Sequence, residues 1–171
     1  MFFMIKIILP IILIISSLLS YEISLDKPST VSKKVLESKE KITLKRDDAK
    51  NLVIDKNTGL MWQDDLNAKT IRKNHKDAKQ YCRSLVFAGY DDWYLPRVKE
   101  LKSITDITKH NPSIKKGFKN IVSGHYWTSS PNLSDTVNVI NVDFMSGHSY
   151  HSNRKGQAYV RCCRGKYNTL I

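Results

Sequence analysis

Three cysteines, a scatter of histidines and serines, one acidic residue inside an apolar helix pattern and a surplus of cations are the groups in this chain able to bond, bind or catalyse. The cysteines stand at 82, 162 and 163. In an oxidising compartment three thiols leave one disulfide and one remainder. On an extended chain, alternation puts Val160, Cys162 and Arg164 on one face and Tyr159, Arg161 and Cys163 on the other. If Val160 points inward, Cys162 does too and can meet Cys82. Closing a loop of about 80 residues is worth roughly 4 to 5 kcal/mol in the chain-entropy account. Cys163 is then either an inert, partly buried thiol or a handle for intermolecular pairing.

The other groups give weaker constellations. His148 and His151 flank Tyr150 near Asp143, but three residues apart on an extended chain they face opposite ways. His75, His110 and His125 have no partner at ligand spacing, so no metal site is expected. Ser129 and Ser130 follow Trp127 on a strand without a nucleophile elbow, and hydrogen bonding within the fold accounts for them. Glu100, one turn into a helix, is read as an ion pair to Arg161 or Arg164 that locks that helix to the last strand. Trp62, Trp93 and Trp127 are read as core. No cofactor and no catalytic residue is expected.

The charge balance is 28 Lys+Arg against 16 Asp+Glu, a formal net charge of +12. Such an excess attracts polyanions over long range. Scattered cations are also ordinary solvated surface. Lys109, Lys115, Lys116, Lys119, Arg154 and Lys155 are the candidate contacts for an anionic polysaccharide or an envelope protein.

The elements that must position these groups follow in order. Residues 1–20 carry Lys6 and an apolar run from Ile7 to Leu19, too short to span a bilayer and suited to a secretory signal cut after Ser20, with an uncleaved membrane anchor as the alternative. Export to the periplasm, the cell surface or the medium follows, and nucleic acid drops out as a partner. Residues 21–50 read as a tether or flexible arm, because they hold too few large apolar side chains to offset ordering. Leu52-Val53-Ile54 and Leu60-Met61-Trp62-Gln63 flank a polar loop ending in Gly59 and read as a β-hairpin, with Asp55 and Asn57 closing the turn. Asn74 caps a helix carrying Ala78, Tyr81, Cys82, Leu85 and Val86 inward and Lys73, Lys76, Lys79 and Arg83 outward, ending at Gly89. Trp93 and Leu95 lie on a short extended run. Pro96 then opens a second helix reaching about Ile107. A basic loop over 109–120 and several strands from Tyr126 to Arg164 complete an α+β domain with an antiparallel sheet over 51–165, and 166–171 form a tail.

Several stretches together carry a resemblance. They are Asp55-Lys56-Asn57-Thr58-Gly59-Leu60-Met61-Trp62-Gln63, Ala78-x-x-Tyr81-Cys82-x-x-Leu85, Gly89-Tyr90-x-Asp92-Trp93-x-Leu95-Pro96-x-x-x-Glu100-Leu101, Tyr126-Trp127-x-Ser129-Ser130, Val142-x-Phe144-x-x-Gly147 and Tyr159-Val160-Arg161-Cys162. In this order they resemble the Lcl C-terminal domain family, a bacterial domain of exported proteins that include a collagen-like adhesin. The resemblance implies a C-type-lectin-like fold shared with formylglycine-generating enzymes, a curled antiparallel sheet with two helices. That fold commonly joins its first helix to its last strand by a disulfide, which suits Cys82 and Cys162. The family usually has Arg at the position of Tyr94, a small polar residue at Arg97 and a Val-like residue at Cys163. The calcium-site triplets of sugar-binding C-type lectins have no counterpart here, and fold alone does not transmit function.

The expectation is thus an exported, non-enzymatic binding or adhesion module of the bacterial envelope. The alternatives are an enzyme of the formylglycine-generating type, which needs a pair of reactive cysteines, and a structural subunit of an envelope complex.

Overall fold

The computed structural model describes residues 44–167. The expected signal segment, most of the expected arm and the last four residues of the tail lie outside the described residues. The described chain is α+β, with two mainly antiparallel sheets and three short helices.

The first sheet has the order β1-β2-β3-β9, from β1 (Leu44–Asp47), β2 (Leu52–Asp55), β3 (Leu60–Gln63) and β9 (Cys163–Arg164). The β2–β3 hairpin forms where two apolar runs meet at a turn. Asp55 closes it by accepting from the Asn57 N–H at 2.9 Å, and Gly59 takes φ 74°. Asn57 contributes its backbone donor to this closure. The opposite edge is close-packed, since a Cβ on Gly165 would lie 2.6 Å from the Gly59 carbonyl oxygen. One boundary differs from the sequence reading: Leu44–Asp47, assigned there to the flexible arm, pairs in register with β2. Its Lys, Arg and Asp sit on a sheet edge, where charge is tolerated, so composition alone hides the strand.

The second sheet has the order β4-β8-β5-β6-β7, from β4 (Arg72–Lys73), β5 (His125–Pro131), β6 (Asn138–Asp143), β7 (Ser149–Asn153) and β8 (Ala158–Tyr159). β5 and β8 meet in parallel at Tyr126 and Tyr159. Helix α1 (Asn67–Thr70) precedes β4, α2 (His75–Arg83) follows it and α3 (Val98–Lys102) lies between α2 and β5 in sequence. Both longer helices stop earlier than their patterns predict. α2 ends at Ser84, whose hydroxyl donates to the Gln80 carbonyl at 3.0 Å. Val86 is therefore 77% exposed rather than core, and Gly89 turns the chain between Phe87 and Tyr90 instead of capping the helix. α3 ends at Ser103, which likewise bonds back to Glu100 O at 2.7 Å.

Two apolar cores result. One gathers Trp62, Leu101, Tyr126, Phe144 and Cys163; the other gathers Ala78, Cys82, Trp93, Trp127, Val160 and Cys162. The segment Val160–Cys163 passes between them with all four residues buried. Alternation holds along it, with Val160 and Cys162 facing the second core and Cys163 the first, so Cys163 is fully buried where partial burial was expected. Cys82 and Cys162 form the disulfide, with Cα atoms 5.5 Å apart. All three tryptophans are core, as expected, at 0%, 2% and 1% exposure for Trp62, Trp93 and Trp127.

Arg161 is buried too, and its charge is met by Asp64. Its Nη1 donates to Asp64 Oδ1 at 2.9 Å and to the Gln63 carbonyl at 2.7 Å. Asp64 also accepts from the backbone N–H groups of Lys119 at 2.8 Å and Asn120 at 3.1 Å, and from the Arg46 guanidinium. The ion pair expected between Glu100 and Arg161 or Arg164 is not formed. Arg164 pairs instead with Asp92, Nε to Oδ1 at 2.6 Å, with its guanidinium 3.7 Å above the Tyr90 ring.

Candidate functional site

Helix α2 sets the site. Asn74 accepts from the Asp77 N–H at 2.9 Å and so satisfies a first-turn donor. Ala78 and Cys82, four apart, face the core, and the disulfide pins that face. Lys76, Lys79 and Arg83 then fall three and four residues apart on one stripe of the helix. They face two adjoining cavities. The larger, of about 610 Å³, is lined by Lys79, Arg83, Arg97, Lys166, Tyr94, Glu100 and Ser129 among others. The smaller, of about 490 Å³, is lined by Asn74, His75, Lys76, Lys79, Arg154 and Lys155. Lys79 borders both, so the two form one trough along the helix.

Positive charge predominates in this trough. Among the described residues the ion pairs involve Arg46, Lys109, Lys119, Arg161 and Arg164, and none of the trough cations. Burial, followed by the nearby charges of Arg83 and Arg154, holds the Lys79 ammonium below the usual lysine value. Burial also lowers His75, whose Nε2 lies 2.9 Å from the Thr128 carbonyl; Lys79 and Arg154 push it the same way. A concave wall lined by one sign of charge focuses its field and concentrates anions.

Glu100 is the one acidic residue lining the larger cavity. Its Oε2 accepts from the Arg97 N–H at 2.6 Å, and its Oε1 lies 3.2 Å from the Tyr94 hydroxyl. That hydroxyl is also 3.1 Å from the Gly165 carbonyl, which ties the first turn of α3 to the end of β9. Burial, then the neighbouring Cys163 and Glu100, pushes the Tyr94 phenol well above its ordinary value.

The structure divides the cations proposed from sequence. Arg154 and Lys155 join the trough. Lys109 pairs with Asp106 at 2.8 Å and Lys119 with Asp48 at 2.7 Å. Lys115 and Lys116 are exposed on the loop between α3 and β5 and line neither cavity. Sequence reasoning placed Lys76, Lys79 and Arg83 on the wet side of the helix but did not name them as a site, although their spacing was visible. Arg97 and Lys166 carry no such signal, because only folding brings them to the cavity. His148 and His151 are exposed, and Asp143 closes its own turn by accepting from the Met145 N–H at 3.0 Å. Ser130 accepts from the Val98 N–H at 3.0 Å, the role within the fold expected of it.

Among known proteins, the family model of the Lcl C-terminal domain matches residues 51–164, about two thirds of the chain. No curated protein matches.

Proposed function

The chain belongs to the Lcl C-terminal domain family, and from that membership we propose that it is an exported, non-enzymatic binding module of the bacterial envelope that holds an anionic polysaccharide along α2. The observation that carries this reading is the trough itself, two adjoining cavities sharing Lys79 and rimmed by cations that make no ion pair among the described residues. A polymer with anionic groups at intervals meets positive charge along its length there. The disulfide fits an oxidising compartment, and no described helix is long and apolar enough to cross a membrane. The α+β frame, with α2 stapled to the terminal segment, is compatible with the lectin-like architecture that the family resemblance implies.

The test is retention on a sulfated-polysaccharide column across a salt gradient. The native chain elutes at progressively lower affinity as salt rises, because exposed charge is screened. The double variant Lys79→Glu/Arg83→Glu binds at least roughly tenfold more weakly at physiological salt, a change of about 1.4 kcal/mol or more. Lys115→Glu/Lys116→Glu, away from the trough, changes retention far less. Equal losses in the two double variants would show that net charge, not the trough, does the binding.

A further inference from the structure

We propose that Glu100, held by Tyr94, is the specificity-determining acceptor at the floor of the larger cavity, and that it selects an anionic sugar residue presenting free hydroxyl groups. The inference rests on the polysaccharide reading above and narrows it. A carboxylate in a cleft whose other charged lining residues are Lys79, Arg83, Arg97 and Lys166 weakens the attraction for any purely anionic ligand. Glu100 is 6% exposed, and burying a carboxylate is costly unless its oxygens are occupied. Among the described residues it makes no ion pair. Its partners among the described residues are two neutral donors, the Arg97 N–H at 2.6 Å and the Tyr94 hydroxyl at 3.2 Å. A carboxylate accepts at about four lone-pair positions, so capacity remains on a group that lines the cavity.

Capping α3 explains one of its two oxygens. The usual capping glutamate at this helix position reaches back to the backbone N–H of the N-cap residue. Here the second oxygen is fixed by Tyr94, which has an alternative acceptor 3.1 Å away in the Gly165 carbonyl. The phenol can therefore turn to Gly165 and release Oε1 to a ligand without losing its own hydrogen bond. A sugar residue bearing sulfate or carboxylate satisfies both parts of the cavity at once, its anion on the cationic rim and its hydroxyl donors on Glu100. Linear polyphosphate satisfies only the rim.

The experiment compares affinities of the full chain for a heparin-type tetrasaccharide, the same tetrasaccharide with its free hydroxyls methylated, and linear inorganic polyphosphate of matched charge. The native chain binds the unmethylated sugar at least about tenfold more tightly than the methylated one, as expected for a hydrogen bond to a charged acceptor. Glu100→Gln keeps an oxygen for the Arg97 N–H, loses most of that discrimination, and binds polyphosphate at least as tightly as the native chain. Retained polyphosphate binding also shows that the variant is folded. Equal native affinity for the two sugars, or a Glu100→Gln variant that gains affinity for sugar and polyphosphate alike, overturns the inference and leaves the trough reading standing. If Lys79→Glu/Arg83→Glu leaves all three ligands unaffected, the trough reading itself fails.

Discussion

Cys163 is enclosed by Trp62 opposite it on β3 and by Tyr94, whose backbone N–H donates to the Cys163 carbonyl at 2.8 Å. Burial pushes its thiol well above the ordinary 9.0, and the charge of Glu100 adds to the effect. The folded state therefore keeps the proton after the unfolded chain has released it. The stability this contributes is complete below pH 9.0 and is lost as pH rises from there toward the folded value. Cys163→Val, close in size and without a proton to lose, is expected to stay within about 1.5 kcal/mol of the native chain at neutral pH. Above pH 9.0 the native chain should lose stability faster than the variant, by up to about 1.4 kcal/mol per pH unit. Urea midpoints at several pH values decide it, and parallel alkaline limbs would show that the thiol contributes nothing. The inward face of Cys162 was legible because strand alternation is short-range and strict. The depth of Cys163 was not, because it needs a second core on the other side of the same strand.

Between elements, the decisive group is Asp64, just beyond β3. It collects β1 through Arg46, the 119–120 loop through two backbone donors and the terminal segment through Arg161. Both side chains of the Arg161 pair are fully buried. Removing one partner of a buried pair leaves a charge in low dielectric, a cost of about 3 to 5 kcal/mol. Asp64→Ala should lower the stability from urea unfolding by that amount, and a loss under about 1 kcal/mol would mean that water reaches Arg161. Nothing in the sequence announces Asp64, since its partners lie 18, 55, 56 and 97 residues away. The hairpin at Gly59 and the Asn74 cap were legible for the opposite reason: each is decided within four residues. Helix ends fell in between. The apolar period runs on to Val86 and Ile107, but Ser84 and Ser103 close the helices first by bonding back to their own turns.

For the whole molecule, the Cys82–Cys162 disulfide connects structure to binding. It closes a separation of 80 residues and joins the inner face of α2 to the segment running between the two cores. The outer face of that helix carries Lys76, Lys79 and Arg83, and the chain just past β9 carries Lys166, which also lines the larger cavity. One covalent link thus fixes the helical side of the trough relative to its C-terminal side. Cys82→Ala/Cys162→Ala should cost about 4 to 5 kcal/mol through the loop released in the unfolded chain. Where the variant remains folded, its polyanion affinity should fall although every cation is still present, because cations free to move apart no longer concentrate their field on one ligand. Denaturation curves and column retention of the native and variant chains at one salt concentration measure the two effects separately. Lost stability with unchanged retention would mean that packing of Ala78, Trp93 and Trp127 alone holds α2 in place.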